Sequence, residues 1–305
     1  MMNQKLIGVI IVLFAALMWA IEPVVAKLAF QEQSGVLFTS TIRAIGVSLV
    51  AIIYLFIRRP KTVKVNRSDL SVLFYIAIVG TVIADGLYLY SLTMIPVVNA
   101  VILGHMQPLF ILLFGVILVT SDRLNTNDYI GIVLLMIAAF FVTTQTVDRA
   151  ISLRFASIGD ILVLCATIAW ASTAVVMRKY LTHLHSGIIT LYRFGIAGLI
   201  FGLILIFTSD GMFSLYSLIV GLVVGIGTIL YYEGLKRLKA AQVSALELTA
   251  PFFAAVIGLF ILQEGITLFQ LIGMVLVLIG IWFIARHETR FTQSQVKTEN
   301  HNTIS

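Results

Sequence analysis

The chain has 305 residues, of which 60% are hydrophobic and 11% charged, with a mean hydropathy of +1.06. Soluble globular domains carry about twice that share of charge, so this composition excludes an ordinary soluble enzyme or scaffold. The formal net charge of +6 would suit nucleic acid, but the basic residues lie in short connections between apolar stretches, where they act as orientation signals.

In chain order the apolar stretches run 6–28, 36–57, 70–91, 97–120, 128–146, 159–180, 187–208, 214–235, 242–262 and 267–285. Each is long enough to cross the roughly 30 Å of a bilayer's hydrocarbon core. Segments this long and apolar can satisfy their backbone groups in lipid only as helices. The connections are short, leaving no room for a soluble domain, and the polar tail 287–305 reads as disordered. With the first residue inside, the inner connections and ends collect fifteen Lys and Arg, among them Arg58, Arg59, Lys61, Lys64, Arg67, Lys236 and Arg237. The outer ones collect only Arg149 and Arg154. That bias predicts cytoplasmic termini. One cysteine, Cys165, excludes an intramolecular disulfide. The first stretch is longer than a typical signal segment and is expected to be retained.

The chain reads as if written twice. One constant offset matches Leu92–Phe110 to Leu235–Phe253, placing Pro108 on Pro251 and Asn99 on Gln242. A one-residue adjustment then places Asp122 on Glu264 and Gly131 on Gly273. Near the starts, Met18-Trp19-Ala20 answers Ala169-Trp170-Ala171, and Arg43 answers Arg193. Five spans per copy is an odd number, so the second copy enters the membrane from the opposite side. Inverted repeats with a site at their interface are a transporter architecture. The expected fold is an all-α integral membrane protein of ten transmembrane helices in two inverted five-helix repeats, 1–147 and 157–286.

Ionisable groups inside spans are costly and rare, which makes each a candidate. Glu22 precedes Pro23, which removes a backbone donor, and Trp19 lies one turn earlier on the same face. Asp85 shares a face with Tyr88, a pairing suited to an amine or a proton. His105 sits mid-span in Gly104-His105-Met106-Gln107-Pro108 and titrates near neutrality when unperturbed; Gln107, two residues on, points to a different face. In the second copy Ser244 and Glu247 share a face before Pro251, and Tyr231, Tyr232 and Glu233 close the eighth span. Glu233 is near enough to Lys236 and Arg237 for a helical ion pair. Arg43 and Arg193 lie about two turns inside their spans, where they either hold substrate anions or pair with carboxylates. Gly273 and Gly280 mark a packing face. Each candidate has a plain alternative in an interhelical hydrogen bond or ion pair. There is no nucleotide loop, metal-spaced Cys/His set or nucleophile elbow, and no cofactor, metal or nucleic-acid partner is expected.

Leu17-Met18-Trp19-Ala20 and Ala169-Trp170-Ala171, Arg43 and Arg193, Pro108 and Pro251, and Leu262-Gln263-Glu264-Gly265-Ile266-Thr267 followed by Leu271-Ile272-Gly273-Met274 together resemble the drug/metabolite transporter superfamily, in its EamA-type ten-helix branch. The resemblance covers nearly all of residues 5–286. This chain departs from the pattern in Asp122, where the family usually has Glu, and in Glu22-Pro23, where small or polar residues are common. The resemblance implies a central cavity lined by the first four helices of each half and buttressed by the fifth and tenth. It also implies movement of small polar or amphipathic solutes, often outward, by alternating access. The combined expectation is a plasma (inner) membrane exporter of an amino acid or related organic solute, with protons as an optional partner. Its alternatives are an uncoupled facilitator or exchanger and a lipid-handling membrane protein; oligomeric state, direction and substrate stay open.

Overall fold

The structure, a computed structural model, describes residues 4–59, 65–118, 126–144, 146–148, 157–181, 183–208, 211–235, 237, 246–247, 249–280 and 282–283. Ser244, Asp122 and the tail 287–305 lie outside the described residues. Helix α1 spans Gln4–Gln31 and α2 Val36–Arg58. Helix α3, Arg67–Ser91, contains a π-helical stretch at Ile78–Ile83. Helix α4 comes in two pieces, Val97–Gly104 and Gln107–Leu118. There follow α5 (Thr126–Thr144), α6 (Ile158–Tyr180), α7 (Ser186–Ile206), α8 (Leu215–Leu235), α9 (Ala250–Ile257, running into a π-helical turn Gly258–Leu262) and α10 (Leu268–Gly280). Among the described residues six helices are long and apolar enough to cross a membrane: α1, α2, α3, α6, α7 and α8. Large apolar side chains such as Phe56, Ile57, Leu199, Ile206 and Phe260 face outward, as a lipid-facing surface requires.

Lipid supplies no hydrophobic drive for helix association, so close backbone approach must hold the bundle together. The buried face of α1 is correspondingly small: Val12, Ala15, Ala16, Ala20, Val24, Ala26 and Ala29 are all fully covered. The helix runs through Pro23 without interruption. On α8, Gly221 lies so near α2 that a Cβ there would sit 2.7 Å from the Arg43 carbonyl oxygen. A Cβ on Gly227 would meet Met18 and Trp19 of α1 at 3.0–3.4 Å. The Gly273–Gly280 face of α10 packs as its spacing predicts: Cβ atoms there would press on Val142 at 2.5 Å and Leu135 at 3.0 Å of α5.

Two connections are tied together at one end of the bundle. Ser34 forms a β-bridge with Gly211, and the Met212 N–H donates to the Gln33 carbonyl at 3.2 Å. Gly211 sits at φ +82°, and any Cβ there would lie 2.2 Å from the Gly35 nitrogen, so only glycine fits. Beneath the bridge Ser34, Thr39 and Ser217 form a buried hydroxyl triangle with 2.9–3.2 Å edges. Hydroxyls are both donors and acceptors, so three can satisfy one another without water.

Candidate functional site

The charged residues picked out in the first three spans meet at one point. Arg43 of α2 reaches Glu22 of α1 through Nε at 2.8 Å and Nη2 at 2.7 Å, and Asp85 of α3 through Nη1 at 2.6 Å. All three are buried, Asp85 to 2% exposure. A guanidinium suits this position because its fixed fork serves two carboxylates at once. Asp85 uses its other oxygen on the second half: the Trp170 indole N–H of α6 donates to Oδ1 at 2.7 Å, and Arg193 of α7 approaches the same oxygen at 3.7 Å. Two carboxylates against two guanidinium groups leave the cluster formally neutral, which is what a low-dielectric interior requires.

The π-helical stretch of α3 makes this junction possible. Its wider turn bonds the Ala84 N–H to the Val79 carbonyl and presents the Gly80 carbonyl to its neighbours. That carbonyl accepts from Trp170 Nε1 at 3.1 Å and from Arg193 Nη2 at 2.9 Å, while Arg193 Nε donates to Thr81 Oγ1 at 2.8 Å. Single π turns of this kind concentrate at functional sites. Phe194 lies under both arginines, its ring centre 5.5 Å from Arg43 Cζ and 5.1 Å from Arg193 Cζ, a cation–π arrangement.

Aromatic pairs cross between the halves on either side of the cluster. Tyr88 packs on Trp170 at 5.2 Å and Trp19 on Tyr231 at 5.1 Å. Asp85 and Tyr88 thus meet the same tryptophan, as their shared face suggests, whereas Trp19 and Glu22 part company: the ring goes to α8 and the carboxylate to α2. Tyr232 lies 5.6 Å from Tyr231, and its hydroxyl donates to the Met177 sulfur at 3.1 Å.

His105 and Glu247 belong to a second feature, a pair of helix breaks. In α4 the Met106 N–H donates to the Leu103 carbonyl at 3.1 Å; in the second half the Thr249 N–H donates to the Leu246 carbonyl at 3.1 Å. These are the same tight turn in the same register, each followed two residues later by Pro108 or Pro251. Proline offers no N–H, so the carbonyls of Gly104 and Glu247 lose their helical donors. The His105 ring bonds the Val101 carbonyl at 2.7 Å and lies within reach of the Glu247 main chain. The break falls between His105, which closes the first piece of α4, and Gln107, which opens the second.

Other polar groups hold the halves together at their ends. Lys27 pairs with Glu264 at 2.5 Å, and Glu264 accepts the Val97 N–H at 2.7 Å, capping the first piece of α4 with a carboxylate. Asn99 donates to Asp160 at 3.1 Å and accepts from Gln270 at 2.6 Å. At the opposite end the Tyr54 hydroxyl donates to Glu233, which also holds Arg237 at 2.8 Å and Arg58 at 3.4 Å; the expected helical ion pair is present. Trp170, Gly80, Thr81, Asn99, Asp160 and Gln270 were absent from the sequence candidates. Trp170 carried a signal as the register partner of Trp19, and Asn99 as that of Gln242. Among the described residues no cluster of three or more His, Cys, Asp or Glu could hold a metal ion.

A model of the EamA-like transporter family matches this sequence twice, over residues 6–144 and 157–286. The chain belongs to the EamA-like transporter family. An uncharacterised transporter of Methanothermobacter thermautotrophicus is 29% identical over 228 residues, 72% of this chain and 66% of that relative, just under two thirds of its length. Another, from Synechocystis sp., is 27% identical over 261 residues, 80% of this chain and 73% of the relative. One from Bacillus subtilis is 22% identical, covering 78% and 80%. A crystal structure with 16% identity matches with a TM-score of 0.63 over 93% of this chain and 98% of the other, which speaks to the fold alone. The family and these relatives are transporters rather than enzymes, and the chain is an integral, multi-pass membrane protein.

Proposed function

We propose that this EamA-like protein is a secondary transporter that moves a small metabolite, an amino acid or related organic solute, outward across the plasma (inner) membrane by alternating access. The observation that carries the reading is the charge cluster shared between the halves: Glu22, Arg43 and Asp85 from the first, Trp170 and Arg193 from the second. Buried ion networks cost desolvation energy and are poor devices for stability alone. One built from both halves links the state of a bound solute to their relative position. The matched breaks in α4 and α9 support the same reading, because interrupted helices supply free backbone groups to transporter sites.

In this reading residues 1–147 and 157–286 are inverted five-helix repeats with both termini cytoplasmic and the tail 287–305 disordered. The cavity lies among the first four helices of each repeat, and Trp19, Glu22, Asp85, Tyr88, His105 and Glu247 contact solute or protons. The test is counterflow into proteoliposomes across amino acids, organic cations, organic anions and sugars, with the Glu22→Gln and Asp85→Asn variants beside the parent. Saturable counterflow of one class, lost in the variants at equal folded yield, supports the assignment; unchanged transport in both variants sinks it. Uptake indifferent to an imposed pH gradient favours the uncoupled facilitator.

A further inference from the structure

Among the described residues, every carboxylate buried in the helix body has a counter-charge or a hydrogen-bond donor except one. Glu22 and Asp85 share Arg43, Glu233 holds Arg58 and Arg237, Glu264 holds Lys27, and Asp160 is bonded by Asn99 and Ser157. Glu247 is partly buried, yet no donor and no charged group among the described residues neighbours its carboxylate. It stands at the turn that precedes α9, and its main chain lies against the His105 ring at the break of α4. The adjacent Leu246 packs on Val12, as does Tyr231, and Tyr231 is paired with the rings of Trp19 and Tyr232.

We propose that Glu247 is the subsite for the ammonium group of the transported solute. This rests on the transport reading and names the chemistry of its substrate. A lone carboxylate among apolar helices needs a positive partner, and none of the described residues supplies one. Tyr231, which shares the Val12 contact with the neighbouring Leu246, and the Trp19 ring beside it are aromatic groups of the kind that attract an organic cation by cation–π interaction. Arg43 and Arg193, by contrast, already have partners, Arg43 two acids and Arg193 the Gly80 carbonyl, Thr81 and a longer contact to Asp85, so the charge left open for a solute is positive.

The test is counterflow with purified full-length protein in proteoliposomes, using the twenty common L-amino acids and, for each one carried, its decarboxylated amine and its desaminated acid. Glu247→Gln should raise the half-saturation concentration for amine-bearing solutes on the order of ten- to a hundredfold, the loss of one charged hydrogen-bonded contact. It should leave the desaminated acid unchanged, and Glu247→Asp should restore part of the affinity. Equal losses for the amine and its desaminated acid overturn the proposal in favour of a structural role. Loss of gradient-driven uptake with counterflow intact overturns it in favour of a proton site. A parent protein that carries only solutes without an amine overturns it while leaving transport standing. A parent silent across amino acids, cations, anions and sugars overturns the transport reading together with it. Thermal midpoints of both variants in detergent separate misfolding from altered binding.

Discussion

Trp19 and Trp170 occupy matching positions in the two halves, and each packs on the matching tyrosine of the other half, Tyr231 or Tyr88. The polar groups around them do not match. The register that pairs the tryptophans puts Glu22 on Thr173, and the register that pairs the prolines puts Asp85 on Thr228. Both carboxylates of the central cluster therefore belong to the first half, and the second half answers each with a threonine. Arg43 accordingly sits between two acids, whereas Arg193 is bonded mainly to the Gly80 carbonyl and Thr81. The ends differ as well. Tyr54 is latched to Glu233, while their register partners, Ile204 and Tyr90, are 45% and 49% exposed. A doubled scaffold thus supplies the packing twice and the chemistry once.

The largest effect should come from Arg43. Arg43→Met strands two buried carboxylates, a loss of about 3–5 kcal/mol, and should be seen as a collapse of folded yield in detergent. Rescue by the added Glu22→Gln and Asp85→Asn changes would tie that loss to the stranded charges. Next is a transplant: Thr228→Asp gives the second half an acid without an arginine between acids. It should cost about 2.5–3.5 kcal/mol, the price of a lone charge at membrane depth, read from the thermal midpoint; a neutral outcome breaks the contrast between the halves. Arg193→Met should cost less than its partner, about 1–3 kcal/mol, because it leaves a carbonyl and a hydroxyl unpaired rather than two charges. Tyr54→Phe should remove about 1 kcal/mol and, if the latch at that end restrains the halves, alter the turnover rate more than the half-saturation concentration. The smallest effect is expected for Lys27 and Glu264, whose side chains are 17% and 18% exposed. A double-mutant cycle with Lys27→Met and Glu264→Gln should return a coupling of about 1 kcal/mol or less.

Much of the site was legible because intramembrane charge is rare: Glu22, Arg43, Asp85 and Arg193 stand out in apolar runs, and they do come together. What could not be read was the pairing. Arg43 and Arg193 fit either a substrate anion or a carboxylate partner on spacing alone, since distances between helices are not encoded in any one helix. The π turn at Ile78–Ile83 is the clearest loss, for its apolar sequence resembles any other turn, yet it exposes the Gly80 carbonyl that anchors Trp170 and Arg193. The break at His105-Met106 was half visible in Pro108, since a proline removes a helical donor without fixing where the turn falls.

Hydropathy and repetition are local properties of the chain, and they are enough to specify a membrane protein of repeated apolar helices with few charges inside them. Which acid meets which base, and that Glu247 meets none among the described residues, came only with the fold. Those outcomes depend on the crossing of helices far apart in sequence, brought within a few ångströms by small residues such as Gly46 and Gly221.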